Sequence, residues 1–317
     1  MTAWGNRSHG RRPIRCPTRA GCGRLCLHVD GETVLHDTSV TRVELAGARL
    51  NNPAGTALSA GGLVVSGGMF CTAGFTALGR VLLVGARLGA NLALRKAELC
   101  NPGKMALVLD RAAIGDCDAS GLTCQGQISL VFTRIASGLN LAGAQLDSGG
   151  AQPALVADGA MIDGTLRLDR THAHGMVRMT TGRVGQRLVL TGARLENPAD
   201  VALLLSGTEI AADMFCRDAS FLGRIGLTGA RIRNRLDLDR IRITRPGDHA
   251  LDARGLQAGE LSLRPAEPIQ GTVDLSHARI EILRDDPEQW FSYFLTAAGS
   301  VLATTIAAGA ARILSRQ

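Results

Sequence analysis

Five arginines recur in this chain at an almost constant spacing, and each is followed by an aliphatic residue. They are Arg87, Arg134, Arg183, Arg231 and Arg279. An Ala-Leu dipeptide keeps the same spacing from Ala57-Leu58 to Ala250-Leu251. One register held across five copies is typical of a repeat array, in which similar units stack around a continuous core. The 317 residues therefore predict one elongated domain.

Short apolar-x-apolar segments recur inside each repeat unit. One column contains Leu92/Leu94, and its later copies are Leu139/Leu141, Leu188/Leu190 and Leu236/Leu238. Alternation over two or three positions is the period of a strand and is too short for a helix face. Because strands this short are unstable alone, they must stack, and a unit of about 48 residues divides into two coils of about 24. The prediction is an all-β parallel β-helix of about five 48-residue units.

A leucine-rich-repeat horseshoe is the rival architecture, because about 24 residues per turn also fits that class. Against it, the position where that class uses Asn or Cys is Ala here, and no helix-like stretch follows each strand. A core of Leu, Val, Ile and Ala with 39 glycines also suits tight repeated turns between short strands.

Each of the five arginines lies between a small and an aliphatic residue, as in Ala86-Arg87-Leu88. In a strand the two flanking residues point inward together, so the arginine points outward. On every second coil these side chains would stand roughly 10 Å apart, as a candidate anion-binding ladder for a linear polyanion or anionic head groups. The structural alternative is that the arginine stems lie over the next coil and pair with acids or carbonyls.

The balance of charge also suggests an anionic partner. The net charge is +7 and the isoelectric point is near 9.3, which fits anionic lipid or acidic glycan, with another protein as a further option. Aromatic residues make up only 3% of the chain, so a stacking platform for nucleic acid is disfavoured.

Several recurring phrases resemble bacterial pentapeptide-repeat-like solenoids, many of which are named membrane-associated oxidoreductases. The phrases are Gly85-Ala86-Arg87-Leu88-Gly89, Leu50-Asn51-Asn52-Pro53-Ala54-Gly55-Thr56-Ala57-Leu58 and Leu283-Arg284-Asp285-Asp286-Pro287. The resemblance covers about residues 40–290. It implies a right-handed β-helix and membrane association. No residue of this chain matches the oxidoreductase part of the family name.

The chain divides into three parts. Residues 1–38 are basic and predict a disordered segment, residues 39–284 form the solenoid, and residues 285–317 predict an apolar C-terminal helix. Residues 289–311 carry no charge, with aromatic residues at their start and arginines after their end. This pattern predicts either a membrane-spanning helix or a helix that caps the last coil. No apolar stretch follows the basic amino end, so we expect no secretory signal and a cytoplasmic location or the cytoplasmic face of a membrane.

The positions of the cysteines predict a packing role in the core, and they indicate neither a zinc site nor a set of disulfides. Cys71, Cys117 and Cys216 occupy one repeat column and are expected to fill the core. Cys16, Cys22 and Cys26, with His28, lack the paired spacing of a zinc site. No disulfide framework is indicated, which favours a reducing compartment.

No catalytic or cofactor-binding motif is present, so the expected function is a non-enzymatic scaffold or binding surface without cofactor or metal. The alternatives are the redox activity in the family name and a polysaccharide-active β-helix enzyme. Asp237 and Asp239 are the acidic pair for the second alternative, although solvated surface charges explain them better. His172 and His174 alternate on one strand and are expected to have a surface role.

Overall fold

The computed structural model describes residues 27–72, 74–150 and 152–285. In this part of the chain all regular secondary structure is β-strand, and the strands form about 11 coils of about 23 residues. The all-β parallel solenoid predicted from the repeat is therefore confirmed. Residues 1–26 of the predicted disordered segment lie outside the described residues, but residues 27–38 belong to the first coil, so the solenoid begins earlier than the predicted residue 39. The predicted C-terminal helix lies outside the described residues almost entirely.

The first five coils contain 14 strands: β1 (His28–Asp30), β2 (Thr33–Val34), β3 (Ser39–Val40), β4 (Val43–Glu44), β5 (Arg49–Ser59), β6 (Val64–Val65), β7 (Met69–Phe70), β8 (Thr76–Leu82), β9 (Arg87–Ala93), β10 (Glu98–Val108), β11 (Ala113–Asp118), β12 (Thr123–Ser129), β13 (Arg134–Ile135) and β14 (Leu139–Asn140).

The remaining six coils contain β15 (Gln145–Asp147), β16 (Leu155–Val156), β17 (Met161–Ile162), β18 (Leu166–Arg167), β19 (His172–His174), β20 (Val177–Arg178), β21 (Arg183–Val184), β22 (Leu188–Val189), β23 (Arg194–Leu204), β24 (Glu209–Ile210), β25 (Met214–Phe215), β26 (Ser220–Gly226), β27 (Arg231–Asp237), β28 (Arg242–Asp252), β29 (Gln257–Leu263), β30 (Gln270–Asp274) and β31 (Arg279–Asp285).

Each coil contributes four short paired segments, so four parallel ladders run along the solenoid. We number them in chain order within a coil, and the longer strands pass through two ladders. In the third and fourth coils the ladders begin at Thr76 and Glu98 (first), Val81 and Leu107 (second), Arg87 and Ala113 (third) and Leu92 and Cys117 (fourth).

The coils alternate between a long and a short form. In the first ladder Arg49 pairs with Thr76, and Thr76 pairs with Glu98, so a longer coil is followed by a shorter one. The same alternation continues along the ladder to Arg242. One long and one short coil together make one repeat unit, which confirms the prediction of two coils per unit.

The core is one continuous cluster of apolar side chains that fills the inside of the coils. Leu92 and Leu188 are fully buried, and the small residues before the arginines, such as Ala86, are buried as well. Cys71, Cys117 and Cys216 fill the core as predicted, but the prediction that they share one repeat column is wrong. Cys117 lies in the column of Met69 and Met214, and Cys71 and Cys216 lie two residues further along their own coils. Burial of each leucine contributes roughly 1.5–3 kcal/mol, which is how strands of two residues become stable in a stack.

Two tight corners bend each coil, one before the third ladder and one before the first. In the corner from Leu83 to Ala86, the Ala86 amide donates to the Leu83 carbonyl at 3.1 Å, and Gly85 has a φ of 65°. A positive φ at the third residue is the requirement of a type II turn, which explains the recurrent Gly-Ala phrase. Ala86, the last residue of this turn, points inward, and Arg87 after it points outward.

A wider corner joins the first and second ladders, and here the long coils project a loop. In the loop of the eighth coil the Asn197 side chain donates to the Val201 carbonyl at 2.8 Å and closes the loop. On the following short coil Gly223 passes close to this loop with a φ of 128°. A Cβ at Gly223 would lie 2.4 Å from the Asn197 carbonyl oxygen. The close packing of this loop on the next coil therefore requires glycine at position 223.

Candidate functional site

The structure places all five predicted arginines in the third ladder. Each begins the third-ladder segment of its coil, in β9, β13, β21, β27 and β31. The residues paired with them on the intervening coils are Val64, Ala113, Met161, Glu209 and Gln257. The arginines thus occupy every second coil, and a strand spacing of about 4.8 Å places consecutive Cα atoms about 10 Å apart. We call these ten outward residues the arginine face.

Local sequence explains why the arginines point to solvent. Ala86 and Leu88 on either side of Arg87 are buried, so the alternation of the strand turns Arg87 outward. The residues that flank Arg134, Arg183 and Arg231 are buried in the same way, those that flank Arg279 are partly buried, and all five arginine side chains are exposed.

Most of these arginines have no partner among the described residues. Arg231 forms an ion pair with Glu209 at 3.0 Å between Nη1 and Oε1. The side chains of Arg87, Arg134, Arg183 and Arg279 form no ion pair or hydrogen bond within the described chain. The structural alternative, in which the arginines pair with nearby acids, therefore holds there for Arg231 alone.

Arginines on other parts of the solenoid are mostly paired with acids, so the arginine face differs from its surroundings. The Nη2–carboxylate distances are 2.7 Å for Arg42–Glu44, 2.6 Å for Arg178–Asp158 and 2.9 Å for Arg235–Glu260. These pairs are partly buried, and each one neutralises the charge of its arginine locally. Arg87, Arg134, Arg183 and Arg279 of the third ladder have no acidic partner among the described residues, and Arg49 and Arg194 of the first ladder have none either.

Two further arginines border this face and were not predicted from the sequence. Arg111 occupies the left-handed position of the tight corner that precedes Ala113, with a φ of 57°. Arg233 follows Arg231 by two residues. Neither side chain has an ion-pair or hydrogen-bond partner among the described residues. Alignment of the corner columns would have revealed Arg111, but the arginine spacing alone does not.

Apolar side chains alternate with the arginines in the amino-terminal half of the face. Val64, Ala113 and Met161 occupy the coils between the arginines, and Met161 is 37% exposed. Phe132, two residues before Arg134, is 60% exposed at its tight corner. A Cβ at Gly159 would lie 2.5 Å from the Phe132 ring, so the ring lies over this glycine on the next coil. From the second to the seventh coil, the first residue of each third-ladder segment is arginine or apolar, and the exposed acid beside them is Asp163, two residues after Met161.

The carboxyl-terminal half of the face contains an open groove of about 750 Å³. Arg183, Arg231 and Arg279 line it, together with Arg233 and Gln257. Ala211 and Gly259 also line the groove, and their small size leaves room between the arginine side chains of the flanking coils. The groove also contains Glu209 and Glu281, so this half of the face is less purely cationic than the other.

The interpretation of Asp237 and Asp239 as solvated charges is wrong. They are 1% and 6% exposed, because arginines of the neighbouring coils cover them. Arg217 contacts Asp237 at 2.8 Å, and Arg264 pairs with Asp239, which also accepts from Ser262 at 2.5 Å. Burial alone would raise the pKa of Asp239, but hydrogen bonds from Arg264 and Ser262 outweigh it and hold this pKa below its usual range. Two carboxylates engaged in this way stabilise the coil stack.

A serine and a histidine form a short contact on the second ladder. The Ser59 hydroxyl lies 2.6 Å from Nε2 of His36, and Nδ1 of His36 lies 3.3 Å from the Gly61 carbonyl oxygen. Three coils further along, Ser129 makes the equivalent contact with Asp110 at 2.5 Å. Asp110 occupies the position of His36 at the equivalent corner, so the Ser59–His36 contact is one form of a hydrogen bond that joins adjacent coils. The contact therefore does not by itself indicate a catalytic serine with a histidine base.

His172 and His174 lie on β19, and each faces a carboxylate of an adjacent coil. His174 Nδ1 is 3.1 Å from Asp147, and His172 Nε2 is 3.3 Å from Glu196, with an alignment too poor for a hydrogen bond. Among the described residues, no group of three or more His, Cys, Asp or Glu side chains is arranged to hold a metal ion. Cys16, Cys22 and Cys26 lie outside these residues.

The cysteines of the core are held as thiols. Burial raises the pKa of the Cys117 and Cys124 thiols to about 12, so neither becomes a thiolate at neutral pH. The described part of the chain contains no helix that could cross a membrane.

Comparison of the chain with protein-family models and with curated protein sequences found no match.

Proposed function

We propose that this protein is a non-enzymatic scaffold whose arginine face binds an anionic lipid surface. The observation that carries the proposal is the row of exposed arginines at Arg87, Arg134 and Arg183, none of which has an acidic partner among the described residues. In a solenoid that pairs most of its other arginines, an unpaired row at regular spacing presents positive charge to an external anion. Each such residue near an anionic membrane contributes about 1 kcal/mol of attraction.

The side chains between the arginines favour lipid over a soluble polyanion. Val64, Ala113, Met161 and Phe132 offer apolar surface at the same level as the arginine stems. At a membrane surface, arginine stems and apolar side chains contact the acyl boundary while the guanidinium groups contact phosphates. A glycan or nucleic acid would leave this apolar surface without a matching partner.

The resemblance to pentapeptide-repeat-like solenoids supports the same function, because it implies membrane association. It also implies a right-handed coil, which agrees with the strong preference of parallel crossover connections for that hand. We infer that the protein acts at the cytoplasmic face of a bacterial membrane.

The test compares two double variants with equal loss of charge. Arg134→Gln/Arg183→Gln removes two arginines of the arginine face. Arg49→Gln/Arg194→Gln removes two arginines of the first ladder, which are also exposed and have no partner among the described residues. Binding of each full-length protein to phosphatidylglycerol-containing vesicles is measured by co-sedimentation. The first variant is expected to bind about 30-fold more weakly, from a loss of about 2 kcal/mol, and the wild-type affinity should fall with added salt.

Three results would contradict the proposal. Equal losses in the two variants would mean that binding depends on diffuse charge. Tighter binding to an acidic polysaccharide than to vesicles, with the same dependence on Arg134 and Arg183, would identify a glycan partner. Flavin or nicotinamide absorption in the purified protein would instead support the oxidoreductase alternative.

A further inference from the structure

The groove in the carboxyl-terminal half of the arginine face is lined by charges of both signs that do not neutralise one another. Arg233 and Arg279 line it, and neither has an ion-pair partner among the described residues. Glu281 also lines it, is exposed, and has no such partner in the described part of the chain. In the same groove Arg231 does pair with Glu209, at 3.0 Å. The groove therefore keeps two guanidinium groups and one carboxylate available to a ligand.

A glycine keeps the space between the opposite charges open. Arg233, Gly259 and Glu281 occupy equivalent positions on three successive coils, each one residue after a third-ladder pair. A Cβ at Gly259 would lie 2.8 Å from the Asn234 carbonyl oxygen and 2.9 Å from that of Arg233, so no larger residue fits without moving the backbone. Arg233 and Glu281 are thus two coils apart, about 10 Å between Cα atoms, with no side chain on the coil between them.

The ligand that matches these charges carries a phosphate and an ammonium group close together. The planar fork of an arginine donates two parallel hydrogen bonds to phosphate oxygens. An ionised carboxylate only accepts hydrogen bonds, and an ammonium group only donates them. A purely anionic ligand would meet Glu281 as a like charge. The groove volume of about 750 Å³ lies in the range of roughly 300–1,000 Å³ that is usual for small-molecule sites.

We infer that this groove binds a phosphoethanolamine group, with its phosphate on Arg233 and Arg279 and its ammonium group on Glu281. The same chemistry occurs in the headgroup of phosphatidylethanolamine and in soluble phosphodiesters of ethanolamine. Where the ligand is the lipid, the inference rests on the proposed function, because it names the headgroup that this part of the arginine face selects.

The first test uses vesicles with a fixed fraction of phosphatidylglycerol and a balance of either phosphatidylethanolamine or phosphatidylcholine. The two balancing lipids have the same charge, but the choline nitrogen has no N–H group to donate to a carboxylate. In co-sedimentation, the full-length protein is expected to bind the ethanolamine vesicles about ten-fold more tightly, as for one hydrogen bond between charged groups.

Two variants with the same loss of charge show whether the groove causes this preference. The preference should disappear in Glu281→Gln and persist in Glu98→Gln, which removes an exposed carboxylate of the first ladder. Any effect of ethanolamine on lipid packing is common to both variants. Arg233→Gln should weaken binding to the ethanolamine vesicles, whereas Arg49→Gln on the first ladder should do so less. A preference that is unchanged in Glu281→Gln would overturn the inference.

Calorimetric titration of the full-length protein with glycerophosphoethanolamine and with glycerophosphocholine, without vesicles, separates the two sources. Selective binding of the ethanolamine compound that requires Glu281 would identify a soluble ligand. Selectivity confined to vesicles, and again requiring Glu281, would identify the lipid headgroup. Equal binding of ethanolamine and choline in both experiments would overturn the inference, and the proposed function would stand if vesicle binding still depends on Arg134 and Arg183. Selective binding of the soluble compound with no binding to any vesicle would overturn the proposed function alone.

Discussion

At the scale of single residues, the wide corner depends on glycine for two separate reasons. Gly223 has a φ of 128°, which side chains rarely adopt, and its missing Cβ makes room for the carbonyl oxygen of Asn197. Gly229 in the following tight corner has a φ of 64°, but nothing lies within 4 Å of its missing Cβ. At Gly229 a side chain would meet backbone strain alone, whereas at Gly223 it would meet backbone strain and a steric clash.

We predict that Gly223→Ala destabilises the protein much more than Gly229→Ala. At Gly229 the cost is that of a left-handed alanine, about 1–2 kcal/mol. At Gly223 the new methyl group also meets a backbone carbonyl that cannot move without opening the loop, so a loss above about 3 kcal/mol is expected. Thermal or urea unfolding measures both. Equal losses would show that the loop moves aside without cost.

At the scale of the element, each ladder contains inward positions that pack in the core and outward positions that contact water. Leu188 pairs in the fourth ladder with Leu166 on one side and Met214 on the other, and all three point into the core. Glu98 begins β10 in the first ladder and is exposed. These positions represent the inward and outward columns that the repeat predicts.

We predict that Leu188→Asp prevents stable folding, whereas Glu98→Arg changes stability by less than about 0.5 kcal/mol. The first change places a carboxylate in the core without a partner and costs several kcal/mol. The second changes a charge in contact with water. Soluble yield, circular dichroism and unfolding by urea are the measurements. A similar effect of the two changes would refute the inward and outward assignment.

At the scale of the whole molecule, carboxylates that join adjacent coils or close turns make stability depend on pH. Hydrogen bonds from Arg254 hold the pKa of Asp252 below its usual range, and hydrogen bonds from Ser276 do so for Asp274. For Asp158 and Asp239, burial acts in the opposite direction, but hydrogen bonds outweigh it and lower the pKa. These groups are distributed along the solenoid, so their protonation weakens many coil contacts together.

We predict that the melting temperature falls as the pH decreases from about 5 to about 2. Because the folded-state pKa values are below the ordinary Asp value of about 3.9, this stabilisation is complete above about pH 5 and is lost as the pH falls through about 4 and then through the folded-state values. Asp239→Asn should be less stable than the wild type at about pH 7, and the difference should narrow at about pH 2. Calorimetry across this range measures both effects. A constant difference would mean that the charge of Asp239 contributes nothing to stability.

Much of the architecture was predictable from particular columns of the sequence. The spacing of Arg87, Arg134 and the later arginines predicted the third ladder, and the column of Leu188 predicted the core. The pairing of Asp237 with Arg217 was not predicted, because these residues belong to different coils and meet only when the two coils are stacked. For the same reason, the sequence did not predict which arginines of the third ladder would lack an acidic partner, because that depends on the side chains of the neighbouring coils.

The sequence by itself determined which side chains face inward, because the two-residue period of a strand and the regular repeat are properties of the chain alone. Tertiary structure decided which outward side chains meet. The alternation of longer and shorter coils brings the loop at Asn197 against Gly223, and the register of adjacent coils places Arg264 beside Asp239. Contacts between coils depend on the register of one whole coil against the next, and a local sequence pattern does not specify that register.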